Sequence, residues 1–226
     1  MLHTDITTLI AHELGIKIPQ VIATVKLLDE GNTVPFIARY RKEITGELDE
    51  EQLRTTEERL QYLRNLVKRQ EDIIATIESQ GKLTPELADA INKTTKLQDL
   101  EDLYLPFKQK KRTRAQIARE KGLEPLADII LAQQVKEGTP LDIAVSYADE
   151  AKEINTPEEA LAGALDIIAE TVSERADIRA LLRKKLWQTA EISTTLAVTE
   201  DAGKDFLTYK EYKEPVNRIP SHRILA

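Results

Sequence analysis

The run DEEQLRTTEERLQYLRNLVKRQEDIIATIESQ, residues 49–80, decides the fold. Asp49 suits a helix N-cap, and Glu50 and Glu51 favour the positive end of the helix that follows. Leu53, Thr56, Leu60, Leu63, Val67, Gln70, Ile74 and Ile77 recur at a spacing of three and four, and six of these eight are apolar. No Gly or Pro interrupts residues 48–80, and Gly81 closes the run. With a rise of about 1.5 Å per residue, the run predicts one helix roughly 45 Å long. Leu66 and Ile73 widen its apolar stripe beyond the seam of a two-stranded coil. That favours a spine against which helices of the same chain pack over an intermolecular coiled coil.

Shorter helices are predicted on both sides. Ile6, Leu9, Ile10 and Leu14 share one face over residues 4–14, and Pro19 opens a second helix that stops at Gly31. Pro35 opens a third over 33–41. Beyond the spine, 84–92 is a capped short helix, and 97–107 places Leu97, Leu100, Leu103 and Tyr104 on one face before Pro106. Residues 113–122 and 124–134 form a helix pair meeting at Gly122-Leu123, and 139–148 is another short candidate. Thr156, Pro157 and Glu159 predict a capping box and a helix to about Ser173, followed by another from about Glu174 to Gln188. On that last helix Arg179, Arg183, Lys184 and Lys185 would form a solvated face, with Trp187 anchoring the other. Residues 189–200 are rich in β-branched side chains, and 206–226 have no helical period, so both read as extended or irregular. The fold class is therefore all-α: a multi-helix body, one long central helix at about 48–80, helix-turn-helix-like elements, and a short β-like C-terminal segment. One helical domain would cover 1–205, with a sub-boundary near 135–155, and 206–226 would begin a connection onward.

Composition agrees. Aromatics make up 4% of the 226 residues, with only 8 Gly and 9 Pro, which suits long helices and short connections. The absence of Cys excludes disulfides, thiolate zinc sites and cysteine nucleophiles, and fits a reducing cytoplasm. No run approaches the apolar length of a membrane span. Phosphate-binding Gly-rich loops, G-x-S-x-G and H-E-x-x-H are all missing, and His3 and His12 are too far apart for an i, i+4 metal pair. We expect no cofactor, no metal and no enzyme.

The net charge of −7 argues against a dedicated nucleic-acid-binding domain but leaves room for local basic patches. One is FKQKKRTRAQIAREK, 107–121. Its seven cations against one acid give +6, while the remaining residues carry −13. Lys108, Lys110, Lys111, Arg112 and Arg114 fall within seven positions, a density suited to phosphates. The alternative is a solvated loop pairing with acidic helices. A second is VPFIARYRKEITGEL, 34–48, where Arg39, Arg41 and Lys42 end a short helix. There they would favour the helix C-terminus, clasp acids of the following long helix, or touch nucleic acid. The helix EPLADIILAQQ, 124–134, has almost no cations and would read a groove poorly, so its pairing with 113–122 is taken as packing.

Three blocks, VPFIARYRKEITGELDEEQLR, LEDLYLPFKQKKRTRAQIAREKGLEPLA and EPVNRIPSHRILA, resemble the N-terminal region of bacterial Tex proteins, transcription accessory proteins related to larger eukaryotic elongation factors. The resemblance implies a helical region with a helix-turn-helix-like part, followed in the whole protein by an RNase H-like domain, a helix-hairpin-helix region and an OB-fold RNA-binding domain. Those later modules would supply most of the RNA and DNA binding. This chain would be a piece of that longer protein and carries over no catalytic residue. Its expected partners are RNA or DNA, held weakly through the basic loop, its own C-terminal domains, and RNA polymerase or other transcription proteins. The alternative is a protein-interaction module with no nucleic-acid contact of its own.

Overall fold

The computed structural model describes residues 3–109, 111–134, 137–197, 202 and 204–224. The chain forms two compact units that divide between Phe107 and Lys108. The division precedes the 135–155 stretch where the sequence suggested a sub-boundary, because residues 115–127 join the core of the second unit.

The first unit is built on α4, Glu50–Ser79. Asp49 caps it: its Oδ1 accepts from Gln52 N at 2.8 Å, and Gln52 Oε1 accepts from Asp49 N at 3.1 Å. At the other end Gly81 takes φ 67°, and the Gly81 and Lys82 amides return to the Glu78 and Ile77 carbonyls. This is the left-handed closure that glycine makes without steric cost. Around α4 lie α1 (His3–Leu14), α2 (Ile18–Asp29), α3 (Val34–Tyr40), α5 (Pro85–Lys93) and α6 (Leu97–Tyr104). Leu60, Leu63, Leu66, Ile73 and Ile77 are buried with Ile6 and Ile10 of α1, Val21 and Val25 of α2, Ile91 of α5 and Leu100 of α6. Leu53 meets Leu27, Val34, Ile37 and Leu48 in a second cluster. Leu66 and Ile73 are fully buried, while Val67 and Ile74 only flank the core. The spine's stripe is thus covered within one chain.

Three arginines of α4 fasten that packing. Arg59 pairs with Glu13 at 2.6 and 2.8 Å, Arg64 with Asp29 at 2.7 and 2.8 Å, and Arg69 with Glu101 at 2.6 and 3.1 Å. These are two-pronged pairs, a geometry that guanidinium and carboxylate planes share. In each case the carboxylate hydrogen bonds raise the arginine pKa further. The predicted apolar face of α6 is narrower than expected. Leu100 is buried, Leu103 and Tyr104 are half-buried, and Leu97 is exposed. Leu97 opens the helix, and its N–H donates to the Tyr62 hydroxyl at 2.8 Å, which holds this end at the surface.

The second unit packs α7 (Arg114–Glu120), α8 (Glu124–Ala132) and α9 (Pro140–Ala144) against α10 (Pro157–Ser173). Its core is rich in alanine: Ala115, Ala118, Ala127, Ala144, Ala160 and Ala164, with Leu123, Leu126, Ile154 and Ile167. Small side chains let the helices approach closely. At Gly163 an added Cβ would stand 2.5 Å from Leu123 Cδ1 and 3.3 Å from Ala118 Cβ. Thr156 caps α10 as expected, accepting from Glu159 N at 3.2 Å. The return bond differs from a capping box, because Glu159 Oε2 accepts from Asn155 N, at 2.7 Å, rather than from Thr156. Helix α11, Ala176–Thr189, follows. Strands β1 (Glu191–Ser193) and β2 (Lys213–Pro215) then pair antiparallel, with Ile192 opposite Glu214, and α12 (Ser221–Ile224) comes last. The extended segment expected after residue 189 is therefore a two-stranded ribbon. Trp187 is not an anchor: it is 59% exposed, and no residue of α11 is buried.

Candidate nucleic-acid interface

The basic stretch divides by function once the fold is in place. Thr113 caps α7, its Oγ1 accepting from Gln116 N at 3.0 Å and donating to Glu170 of α10 at 2.9 Å. Arg119, in the last turn of the helix, donates to the same Glu170 carboxylate at 2.6 Å and lies 3.4 Å from Glu124. Lys121 reaches the Glu153 carbonyl at 2.8 Å. Arg119 and Lys121 are thus structural cations, the first pinned to α10 and the second to the turn that precedes it.

The cations at 108–114 carry little such duty. Lys108 and Lys111 are exposed and have no acid at ion-pair distance among the described residues. Arg112 pairs with Glu120 at 2.9 Å but leaves 69% of its side chain in solvent, and Arg114 stands 3.5 Å from Asp166 with 86% exposed. Such surface pairs are worth little and can exchange an acid for a phosphate. The Arg112 hydrogen bond holds the Glu120 carboxyl below its usual range. Lys110 lies outside the described residues. A cleft of about 390 Å³ opens beside this region, lined by Arg114, Lys121, Glu153, Glu159 and Asp166 along with apolar groups. Its acids outnumber its cations, so it is a poor anion site.

The second cationic stretch belongs to the first unit. Val34 and Ile37 bury one side of α3, and the chain then turns through residues 41–48. Thr45, fully buried, donates to the Lys42 carbonyl at 3.0 Å, Gln20 Nε2 donates to the Gly46 carbonyl at 2.7 Å, and Leu48 enters the core. This fixes the turn and leaves Arg39, Arg41 and Lys42 outward. They do not clasp the long helix. Lys42 comes only within 3.9 Å of Glu47, Arg41 donates to the Tyr40 carbonyl at 3.2 Å, and Arg39 has no acid partner among the described residues. Of the acids that open the long helix, Asp49 caps it and Glu50 pairs with Arg54 at 2.9 Å. Phe36 and Tyr40 stand exposed beside these cations.

No helix among the described residues is long and apolar enough to cross a membrane, and no group of three or more His, Asp or Glu there is placed to hold a metal ion. Helices α7 and α8 meet through Gly122 at φ 82°, and both pack on α10.

Comparison with known proteins supplies the lineage. Residues 4–78 match the Tex-like protein N-terminal domain, and residues 136–226 match the Tex central region-like family. The chain is 49% identical to Protein tex of Bordetella pertussis over 225 residues, covering 99% of this chain and 28% of that protein. It is 47% identical to Transcriptional accessory protein Tex of Neisseria gonorrhoeae, covering 98% of this chain and 29% of that one. A more distant relative, S1 RNA-binding domain-containing protein 1 of Homo sapiens, is 30% identical, with 98% and 23% covered. The chain thus spans less than a third of the length of these relatives. With both family matches falling in sequence order along it, the chain belongs to the Tex family of transcription accessory proteins, whose N-terminal and central-region parts it carries.

Proposed function

We propose that this chain is the scaffold portion of a nucleic-acid-associated transcription accessory protein and that residues 108–114 make secondary phosphate contacts. The observation that carries the reading is the division within the basic stretch. Arg119 and Lys121 are consumed by the fold, while Lys108, Lys111, Arg112 and Arg114 project into solvent. Cations with no structural task, concentrated in an acidic chain, are available for counterion exchange with a phosphate backbone. Arg39, Arg41 and Lys42 add a second exposed set. Most of the affinity for RNA or DNA comes from parts of the longer protein outside this chain, and the setting is the cytoplasm. No chemical step is part of this role; hydrolysis of RNA by the purified chain, abolished by a point substitution, would overturn that.

The test is fluorescence anisotropy with labelled single-stranded RNA and duplex DNA, from low to physiological salt. Binding should weaken steeply with salt, by a logarithmic slope of about −0.7 per phosphate contacted on a single strand. Reversing Lys108, Lys111 and Arg112 to Glu should weaken it strongly. Unchanged affinity in that variant would remove the segment from the interface.

One observation favours a second reading, a module that docks protein. Leu181, Leu182 and Leu186, which share one side of α11, are each more than half exposed. An apolar helix face of that kind commonly meets a partner, and the remainder of a polypeptide as long as its relatives is at hand to be one. Amide exchange in α11 should then slow in the longer protein. Equal exchange in both would leave this helix without a docking role.

A further inference from the structure

We propose that Phe36 and Tyr40, with the guanidinium of Arg41, form a stacking platform that selects unpaired bases, so that this face of α3 takes single-stranded nucleic acid rather than duplex. The proposal rests on the nucleic-acid reading above and specifies the ligand of its second cationic set.

The two rings lie one helical turn apart on α3, flanking its buried Val34 and Ile37 side. Tyr40 is 60% exposed and Phe36 38%. Their centroids are 5.2 Å apart with the planes tilted by 48°, so neither ring lies flat over the other's face. Arg41 completes the group: its Cζ sits 5.5 Å from the Phe36 centroid, and its Nη1 bond to the Tyr40 carbonyl steadies the guanidinium there. The backbone that carries the rings is anchored, because Ile37 within α3 and Thr45 and Leu48 in the turn after it are buried. Arg39 stands on the same short helix with no acid partner among the described residues.

Flat π faces beside uncommitted cations match one chemistry in particular. A single strand offers unpaired bases to stack on aromatic and guanidinium planes, and phosphates to meet the neighbouring charges. A duplex keeps its bases stacked on one another, so only its phosphates could engage. An acidic peptide meets the cations but leaves the ring faces without a flat partner. The 108–114 segment makes the contrast: KQKKRTR holds no aromatic residue and can distinguish only charge density. The two stretches should therefore differ in what they sense, one reading bases as planes and the other reading phosphate alone.

The test measures binding of the whole chain to a short labelled single-stranded RNA, to the same strand without its bases, and to a duplex of equal phosphate number. The wild-type chain should prefer the base-bearing strand by about tenfold or more, the range of stacking on one or two aromatic side chains. Replacing both rings, Phe36→Leu with Tyr40→Leu, should bring the base-bearing strand down to the abasic one. Tyr40→Leu alone, at an exposed ring, guards against loss of folding and should remove part of the preference, whereas Tyr40→Phe should keep it. Equal binding of base-bearing and abasic strands by the wild type would overturn the platform, and if reversal at Lys108, Lys111 and Arg112 then weakened both, the broader nucleic-acid reading would survive. A preference that persists in the double Leu variant would also overturn it. Absence of binding to any strand at low salt would overturn both.

Discussion

Gln70 is a polar side chain in the middle of the spine's buried face, 1% exposed, and it permits a sharp test of how α4 holds α5. Its Nε2 donates to the Ile91 carbonyl at 2.8 Å and to the Thr94 carbonyl at 2.9 Å, the two carbonyls that close α5. Its Oε1 is buried without a hydrogen-bond partner among the described residues. Gln70→Leu keeps the approximate volume and removes both bonds, at a net cost of about 0.5–1.5 kcal/mol each, but it also removes the orphaned oxygen, which offsets about 1–3 kcal/mol. The Ile91 carbonyl keeps the Thr94 amide at 3.2 Å. The expected net change is therefore small, roughly within 2 kcal/mol either way. Gln70→Glu separates the electrostatics from the packing. A carboxylate at this place would face two carbonyl oxygens in a site closed to water, so burial and repulsion should push its pKa well above the ordinary glutamate value. The folded variant then binds a proton that the unfolded chain releases. A protonated carboxyl has one donor in place of two, which leaves a constant deficit of one hydrogen bond; the pH-dependent deficit should be absent below the unfolded pKa and should grow by about 1.4 kcal/mol for each pH unit up to the folded pKa. Urea titrations of wild type and both variants, between about pH 4.5 and about pH 8, give the differences free of background titration. A Glu variant whose deficit stays constant with pH, or shrinks as pH rises, would refute this account, as would a Leu variant that costs as much as Glu at neutral pH.

Three further outcomes follow from the caps and ion pairs. Asp49→Ala should lower the stability of the first unit by about 1 kcal/mol, read as a urea midpoint, because Gln52 N loses its acceptor. Glu170→Gln should cost the second unit about 1.5–3 kcal/mol, since the carboxylate bonded to both Arg119 and Thr113 is only 14% exposed; faster amide exchange in α7 ahead of α8 would localise the loss. Asp142 accepts from the Thr139 N–H and hydroxyl at 2.6 and 2.8 Å, bonds that hold its carboxyl below the usual range. The stabilisation is complete above the unfolded pKa and disappears as pH falls through the lower folded one, so α9 amides should lose protection only in strong acid, and Asp142→Asn should remove that dependence.

What the sequence disclosed was local. Both ends of α4 were legible because Asp49 and Gly81 act within four residues of the helix they close, and Thr156-Pro157 fixed the start of α10 for the same reason. Glu159 shows the limit: its turning to Asn155 instead of Thr156 depends on loop geometry that a residue spacing does not carry. Among cations the missing information was the partner. Arg59 and Glu13 are 46 residues apart and Arg119 and Glu170 are 51 apart, so no helical period announces either pair. Consequently 107–121 looked like one basic patch, although its C-terminal cations are structural and the described ones before α7 are exposed. The face of α11 failed differently. RALLRKKLW has the pattern of a helix with one covered side, and pattern alone placed Trp187 against its own chain; the structure leaves that side exposed.

The acidic balance of the chain and its local cation sites are compatible because electrostatics acts over short distances here. At physiological ionic strength the screening length is about 8 Å, so an approaching phosphate senses the nearest side chains and little of the −7 total. Which cations it can use is then settled by pairing geometry. Arg59, Arg64 and Arg69 each hold a carboxylate with two bonds that also fasten one helix to another, and detaching them would loosen the core. Arg112 and Arg114 hold acids at the surface, where a phosphate can replace a carboxylate without disturbing a buried contact. The arginines with the strongest bonds are thus the least available to a ligand. A chain of this family can keep an acidic, helix-favouring composition and still present cations, provided those cations sit where the fold makes no demand on them, as Arg39, Lys108 and Lys111 do.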